Sequence, residues 1–195
     1  MRRLANIAVL TAALLLSSVA SQTASATTAV YLTEVEHAEA SDAVVVGRVG
    51  VQRVDRNPEN GRIYTHSVFH VDKALFGDVP VAFEIHQMGG VLDGQVFHVP
   101  GDAELATGEE VLLFVRQVEG RWYLTAMEQS KYRLEPSLDG VVLARDLHGG
   151  LFLRGQAGKL VPFHPDDDGT PMTLARMIWI LADAGLTTPD MGGAQ

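Results

Sequence analysis

The stretch from Asp42 to Val54, DAVVVGRVGVQRV, constrains the fold more than any other part of the chain. Three consecutive valines, Val44, Val45 and Val46, place apolar side chains on both faces of an extended segment, the pattern of a strand covered from two sides. Gly47 and Gly50 then remove side chains where such a strand bends sharply. A long bent strand predicts a small barrel, in which the two halves of the first strand pair with different neighbours and glycines relieve the crowding.

The flanking segments supply the partners. Thr33 and Glu36 form a capping-box pattern, so a helix of about two turns is expected before the long strand, with Leu32, Val35 and Ala38 on its buried side. His37, between Glu36 and Glu39, reads as solvated. The loop Asp55 to Gly61, DRNPENG, carries Pro and Gly at turn positions and reverses the chain into a second strand. There Ile63, Thr65, Phe69 and Val71 fall on one face and Tyr64, His66, His70 and Asp72 on the other. Alternation resumes in VPVAFEIHQ, Val79 to Gln87, with Val79, Val81, Phe83 and Ile85 on one face and Pro80 marking a strand start or an edge. The run VLLFV, Val111 to Val115, reads as a central strand, and a turn at Gly120 brings WYLTAM, Trp122 to Met127, back antiparallel.

Residues 27–135 are therefore expected to form a mainly β domain, a five-stranded OB-fold-like barrel with a short N-terminal helix. Between its strands, Gly89 to Gly108 reads as a solvated connection with one short strand near Gln95 to Val99. Residues 136–195 read as a C-terminal extension. In it VVLARDLHGGLFLRG, Val141 to Gly155, predicts a small hairpin or meander joined at His148, Gly149 and Gly150. Asp166, Asp168 and Gly169 match part of a calcium loop whose other ligands are missing, so an acidic turn is expected. A C-terminal helix over about 171–184 follows, with Thr170 as cap, Pro171 first, and Leu174, Met177, Ile178, Leu181 and Ala182 sharing a face.

The N-terminus has the order of a secretory signal peptide: Arg2 and Arg3, an apolar run from Ile7 to Leu16, then small residues ending in Ala26. Residues 1–26 are expected to be removed and the mature protein exported, to the periplasm or beyond, with no membrane span after cleavage. The mature chain then carries 13 basic and 24 acidic residues, a formal charge of −11, which repels phosphates and argues against nucleic acid as a partner. There is no cysteine, which excludes disulfides, a lipid-anchored lipoprotein and cysteine-based zinc sites.

Motifs that carry chemistry are few. No serine nucleophile elbow, HExxH or CxxC occurs. His66 and His70 are four residues apart, which on a strand is about 13 Å, too far to share an ion. No metal, cofactor or catalytic residue is expected on this reading. The surface favoured for binding is QSKYR, Gln129 to Arg133, a basic spot in which an exposed Lys131 and Tyr132 offer an ion pair and an amphipathic anchor. Gly89 and Gly90 would let a partner's backbone approach. The alternative is that Tyr132 packs on the barrel and Lys131 pairs with a strand carboxylate.

The segments SDAVVVGRV, KALFG, GEEVLLFV and WYLTAM, in that order after a helix, resemble the netrin-like barrel of the tissue inhibitors of metalloproteinases. DAVVVGRV, GEEVLLFV and QSKYR are also similar to segments of uncharacterised exported bacterial proteins. The resemblance implies the scaffold only, because the inhibitors act through an N-terminal cysteine that this chain lacks. The expected function is an exported, non-enzymatic binding module for a protein or envelope component, a secreted protease among the candidates. The alternatives are a structural envelope protein, or a hydrolase assembled from His86, His98, Asp102 and Glu109. Intact-mass measurement of exported protein is expected to give an N-terminus at Thr27, or at Ser21 with the earlier cleavage site, and retention of Met1 would overturn the signal peptide.

Overall fold

The computed structural model describes residues 28–187 apart from 139, 146, 148–150, 157 and 164–170. The leader, the His148 to Gly150 joint and the Asp166 to Asp168 turn lie outside the described residues. The described chain is mainly β. Strand β1 (Thr28–Val30) and helix α1 (Glu34–Glu39) lead into β2 (Ala43–Arg56), which forms a hairpin with β3 (Ile63–Phe76). Strands β4 (Ala82–Met88), β5 (Gly90–Leu92), β6 (Gln95–Phe97), β7 (Glu110–Val118) and β8 (Arg121–Leu124) follow. A 3-10 turn (Met127–Ser130) precedes β9 (Lys131–Ser137), β10 (Gly140–Ala144), β11 (Leu151–Gln156), β12 (Lys159–Phe163) and helix α2 (Leu174–Asp183).

The main sheet has the order β10-β9-β7-β2-β3-β4-β8, and β8 also pairs with β7, so five strands close into a ring. Closure between β4 and β8 is parallel and rests on one residue pair, Ile85 with Trp122. The expected bend is present in β2. Residues 43–48 pair with β7, the strand continues along β3 to Arg56, and its register with β3 shifts at Val46/Gly47 and across Val49/Gln52. A Cβ on Gly47 would lie 2.1 Å from the His70 carbonyl oxygen, so only glycine lets the two backbones meet there.

Where they pair with each other, β2 and β7 are buried on both faces, each facing two cores. Inside the ring, Val45, Val49, Phe69, Phe83, Ile85, Val111, Leu113, Val115 and Trp122 pack together. On the outer face, Val44, Leu112 and Phe114 meet Ala38, Tyr132, Leu143, Met177 and Leu181, so α1, β9, β10 and α2 cover the sheet from outside. Burying each Leu- or Phe-sized side chain contributes about 1.5 to 3 kcal/mol, which gives the helices ample reason to dock. Among the described residues no helix is long and apolar enough to cross a membrane.

Several expectations are corrected. His37 is fully buried rather than solvated, because α1 lies on Phe114 and its ring stacks there at 4.2 Å. Leu32 and Val35 are only half-buried, and Val81 is exposed because β4 begins after it. Gly89 to Gly108 is more than a solvated connection: Ala103 and Leu105 are buried as part of the inner core. The runs around Val141 and Phe152 do not pair with each other. β10 joins β9 at the edge of the main sheet, while β11 lies between β1 and β12 in a separate sheet. Helix α2 is capped by Thr173, whose hydroxyl accepts from the Arg176 amide, and not by Thr170, which lies outside the described residues. Met177 and Leu181 are its buried residues, while Ile178 and Ala182 are exposed, because the apolar stripe facing the sheet is narrower than the periodicity predicts.

The glycines provide a graded test of this packing. Gly47→Ala is expected to cost at least about 3 kcal/mol or to abolish folding, since backbone must move. Gly61→Ala, at φ +69° with open space around it, is expected to cost only about 1 kcal/mol. Chemical denaturation of the two variants measures the difference.

Candidate functional site

The residues favoured from sequence are distributed over the scaffold. Tyr132 is 3% exposed, packs near Phe114 and under the Arg145 guanidinium, and donates to Glu34 Oε1 at 3.1 Å. Gln129 is also 3% exposed: its Oε1 accepts from the Leu32 amide at 3.1 Å and its Nε2 donates to the Val30 carbonyl at 3.0 Å. It fastens the segment after β1 to the ring. Neither side chain is a surface anchor: β9 turns Tyr132 into the outer core, and Gln129, in the 3-10 turn before it, is buried against the segment after β1. Lys131 lies 2.8 Å from Glu109 Oε1 and donates to the Glu104 carbonyl, with its side chain 12% exposed. Gly89 and Gly90 have φ +123° and +134°, and a Cβ there would meet the Phe97 carbonyl at 2.8 Å or Thr65 Oγ1 at 2.6 Å. Their close approach is made within the chain.

Gly89, Gly90 and Lys131 border two neighbouring clefts at one end of the ring, whereas Gln129 and Tyr132 line neither. The first, about 380 Å³, lies beneath the β5–β6 hairpin, with Gly89, Gly90, Val91, Val96 and Phe97 on its walls. The second, about 450 Å³, is lined by Glu109, Glu128, Lys131 and Arg133. His98, Asp102, Ala103 and Glu104 line both. The loop carrying them is pinned from within the ring, where Gln87 Nε2 donates to the Ala103 carbonyl at 2.7 Å and Gln52 Nε2 to the Leu105 carbonyl at 2.8 Å. Burial pushes the Asp102 carboxyl above its usual range, against the opposing pull of hydrogen bonds from Gln87 and the Ala103 amide. Three of the four scattered residues, His98, Asp102 and Glu109, thus share a cleft.

The fourth, His86, stands elsewhere, in a grouping that sequence reasoning missed. On the outer face of the β3–β4 pair His86 is directly opposite His66, and Glu84 is two residues before it on the same face. Glu84 Oε1 lies 3.2 Å from His66 Nδ1 and 3.4 Å from His86 Nε2. Arg53 holds Glu84 from the solvent side, at 2.9 Å through Nη2 to Oε1, and also pairs with Asp55. Burial raises the Glu84 carboxyl, but the hydrogen bonds and charge of Arg53 and the neighbouring histidines outweigh it and hold the group below its ordinary range. Burial, then His66, pushes His86 below the usual histidine value. The polar faces of both strands are visible in the alternation of IYTHSVFHVD and VPVAFEIHQ; the pairing register that brings His66 onto His86 is not.

Comparison with protein-family models, curated proteins and solved structures finds no match for this chain.

The buried histidine of α1 sets a pH dependence. Burial, then the charge of Arg145, pushes His37 down to about 3, while Nε2 shares a hydrogen bond with Ser130 at 3.1 Å. The unfolded chain takes up this proton near pH 6.5, whereas the folded chain does so only near pH 3. Stability from this group is therefore complete above pH 6.5 and falls by about 1.4 kcal/mol per pH unit below it. Thermal melts are expected to show a falling Tm between pH 6.5 and pH 4.5, with a shallower slope in His37→Gln.

Proposed function

We propose that this chain is an exported, non-enzymatic binding module built on an OB-like ring of the netrin-like type, and that it recognises a protein partner at the cleft under β5–β6. The strand order supports the scaffold reading. β2, β3, β4, β8 and β7 follow one another around the ring, with one parallel junction, at β4 and β8. The observation that carries the function is the hairpin itself. Val91 and Val96 face each other across it and are 60% and 73% exposed, and Phe97 beside them is 41% exposed.

Scattered exposed hydrophobics are ordinary, but three on one short hairpin, Gly90 to Phe97, at the rim of a cleft form a patch. An isolated two-stranded hairpin is marginal in water. Here it is held to the ring by the Gly89 amide on the Ile63 carbonyl at 2.8 Å, Thr65 Oγ1 on the Gly89 carbonyl at 2.8 Å, and Arg56 on Gln95 at 2.7 Å. An apolar rim presented on a fixed support fits a protein surface better than a free ion or a nucleic acid.

A hydrolase reading has one observation in its favour, the shared cleft of His98, Asp102 and Glu109 with its elevated Asp102. Glu109, however, is engaged by Lys131 and by the Ala106 amide at 3.2 Å, which leaves it a structural role. The binding reading is tested by capture from the exported fraction of the native source with immobilised mature protein. A specific partner is expected, identified by mass spectrometry. Its capture is expected to fall at least about tenfold with Val96→Asp or Phe97→Asp at unchanged Tm, and to persist with Trp179→Asp on α2. No captured protein above a bait-free control, or equal capture by all variants, overturns it.

A further inference from the structure

We propose that His66, His86 and Glu84 form a binding site for one divalent transition-metal ion of the zinc class, on the face of the β3–β4 pair opposite the binding cleft. The ligand atoms of the three side chains all lie within 4.8 Å of one another. Ligands at zinc's usual 2.0 to 2.1 Å in tetrahedral array are about 3.3 Å apart. Glu84 Oε1 stands at 3.2 Å from His66 Nδ1 and 3.4 Å from His86 Nε2, so two of the three separations match without movement.

The hydrogen bonding of His66 points the same way. Its Nε2 faces Asp55 Oδ1 at 3.2 Å, which with Nε2 as donor leaves the lone pair on Nδ1. That Nδ1 is buried and has no hydrogen-bond partner, since Glu84 Oε1 is near it but out of line for an N–H to point at. An orphaned acceptor facing a carboxylate oxygen is unfavourable unless a cation stands between them. Asp55 behind the histidine completes the carboxylate, histidine and metal arrangement that orients ligating imidazoles. Arg53 touches Glu84 Oε2 at 3.2 Å through Nη2 and at 3.3 Å through Nε, so it retains that oxygen while Oε1 turns to the metal and its own contact with Arg53 lengthens.

Two imidazoles and one carboxylate leave a fourth position for water, and the site opens on a cavity of about 300 Å³ that has room for it. Spacing along one strand excludes His66 and His70 as a pair. It says nothing about a partner on the neighbouring strand, where paired side chains are about 5 Å apart.

The test is calorimetric titration of chelator-treated mature protein with zinc chloride near pH 7, and cobalt(II) as a spectroscopic probe. One equivalent is expected to bind, with a Kd at or below the micromolar range, the visible absorption of four-coordinate cobalt, and a rise in Tm on zinc addition. His86→Gln and Glu84→Gln, both partly exposed, are expected to lose at least about 100-fold in affinity and the cobalt spectrum while keeping metal-free Tm within a few degrees. Asp55→Asn is expected to lose about 10- to 100-fold. His70→Gln and His98→Gln are expected to bind as the parent does. No binding by the parent protein overturns the site, as does binding retained in both His86→Gln and Glu84→Gln, or lost in His70→Gln or His98→Gln. These variants are distinct from those at Val96 and Phe97, so failure here leaves the protein-binding reading standing, and the reverse.

Discussion

The structure depends on two strands that are buried on both sides along the stretch where they pair with each other. In β2, Val44 faces the outer core and Val45 the interior of the ring; in β7, Leu112 and Phe114 face outward while Val111, Leu113 and Val115 face inward. Neighbouring residues thus serve different cores, and a slip of one position would exchange all of them at once. With no cysteine to brace the chain, this shared wall holds the ring and the outer layer together. The register shifts in β2 around Gly47 and Gly50 let one strand satisfy both neighbours despite its curvature.

The outer layer is held by a different chemistry. Its buried polar groups are mostly bonded: His37 with Ser130, Ser130 with the Ala126 amide, Gln129 with Val30 and Leu32, and Tyr132 with Glu34. Groups of this kind are costly to bury unless paired, so they fix where α1 and the segment after β1 sit more sharply than apolar contact alone. The segment from Gln129 to Tyr132 contributes to all five of these bonds. Its mixture of polar and aromatic residues, which from sequence reads as a surface for a partner, is an internal fastening for the protein's own N-terminal region.

How much was legible follows from the range of the forces involved. The capping box at Thr33 and Glu36, the β2–β3 hairpin, the alternation in β4 and the apolar run of β7 are written in local pattern, and they appear where the pattern puts them. The burial of His37 was not legible, because it depends on Phe114, which is 77 residues away in sequence. The same holds for the separation of β10 from β11, which is decided by competition for sheet edges, and for the meeting of His66, Glu84 and His86. Each strand shows its polar face, but the turn and bulge between Val71 and Val81 set the register, and no short-range signal fixes that.

The ring is closed unevenly. Most neighbours share runs of paired residues, whereas β4 and β8 share a single backbone pairing, Ile85 with Trp122, backed by ring contacts of Trp122 with Phe83 and of Tyr123 with His86. Local opening follows the cheapest route, and separating this junction leaves the β3–β4 ladder, the β7–β8 hairpin and both cores' longest strands paired. The molecule is therefore a split ring whose elastic point is known in advance. Motion that widens the gap carries Arg121 and Tyr123, which wall the cavity beside His86, away from β4 as one piece, so the shape of that cavity and the continuity of the ring are mechanically the same variable.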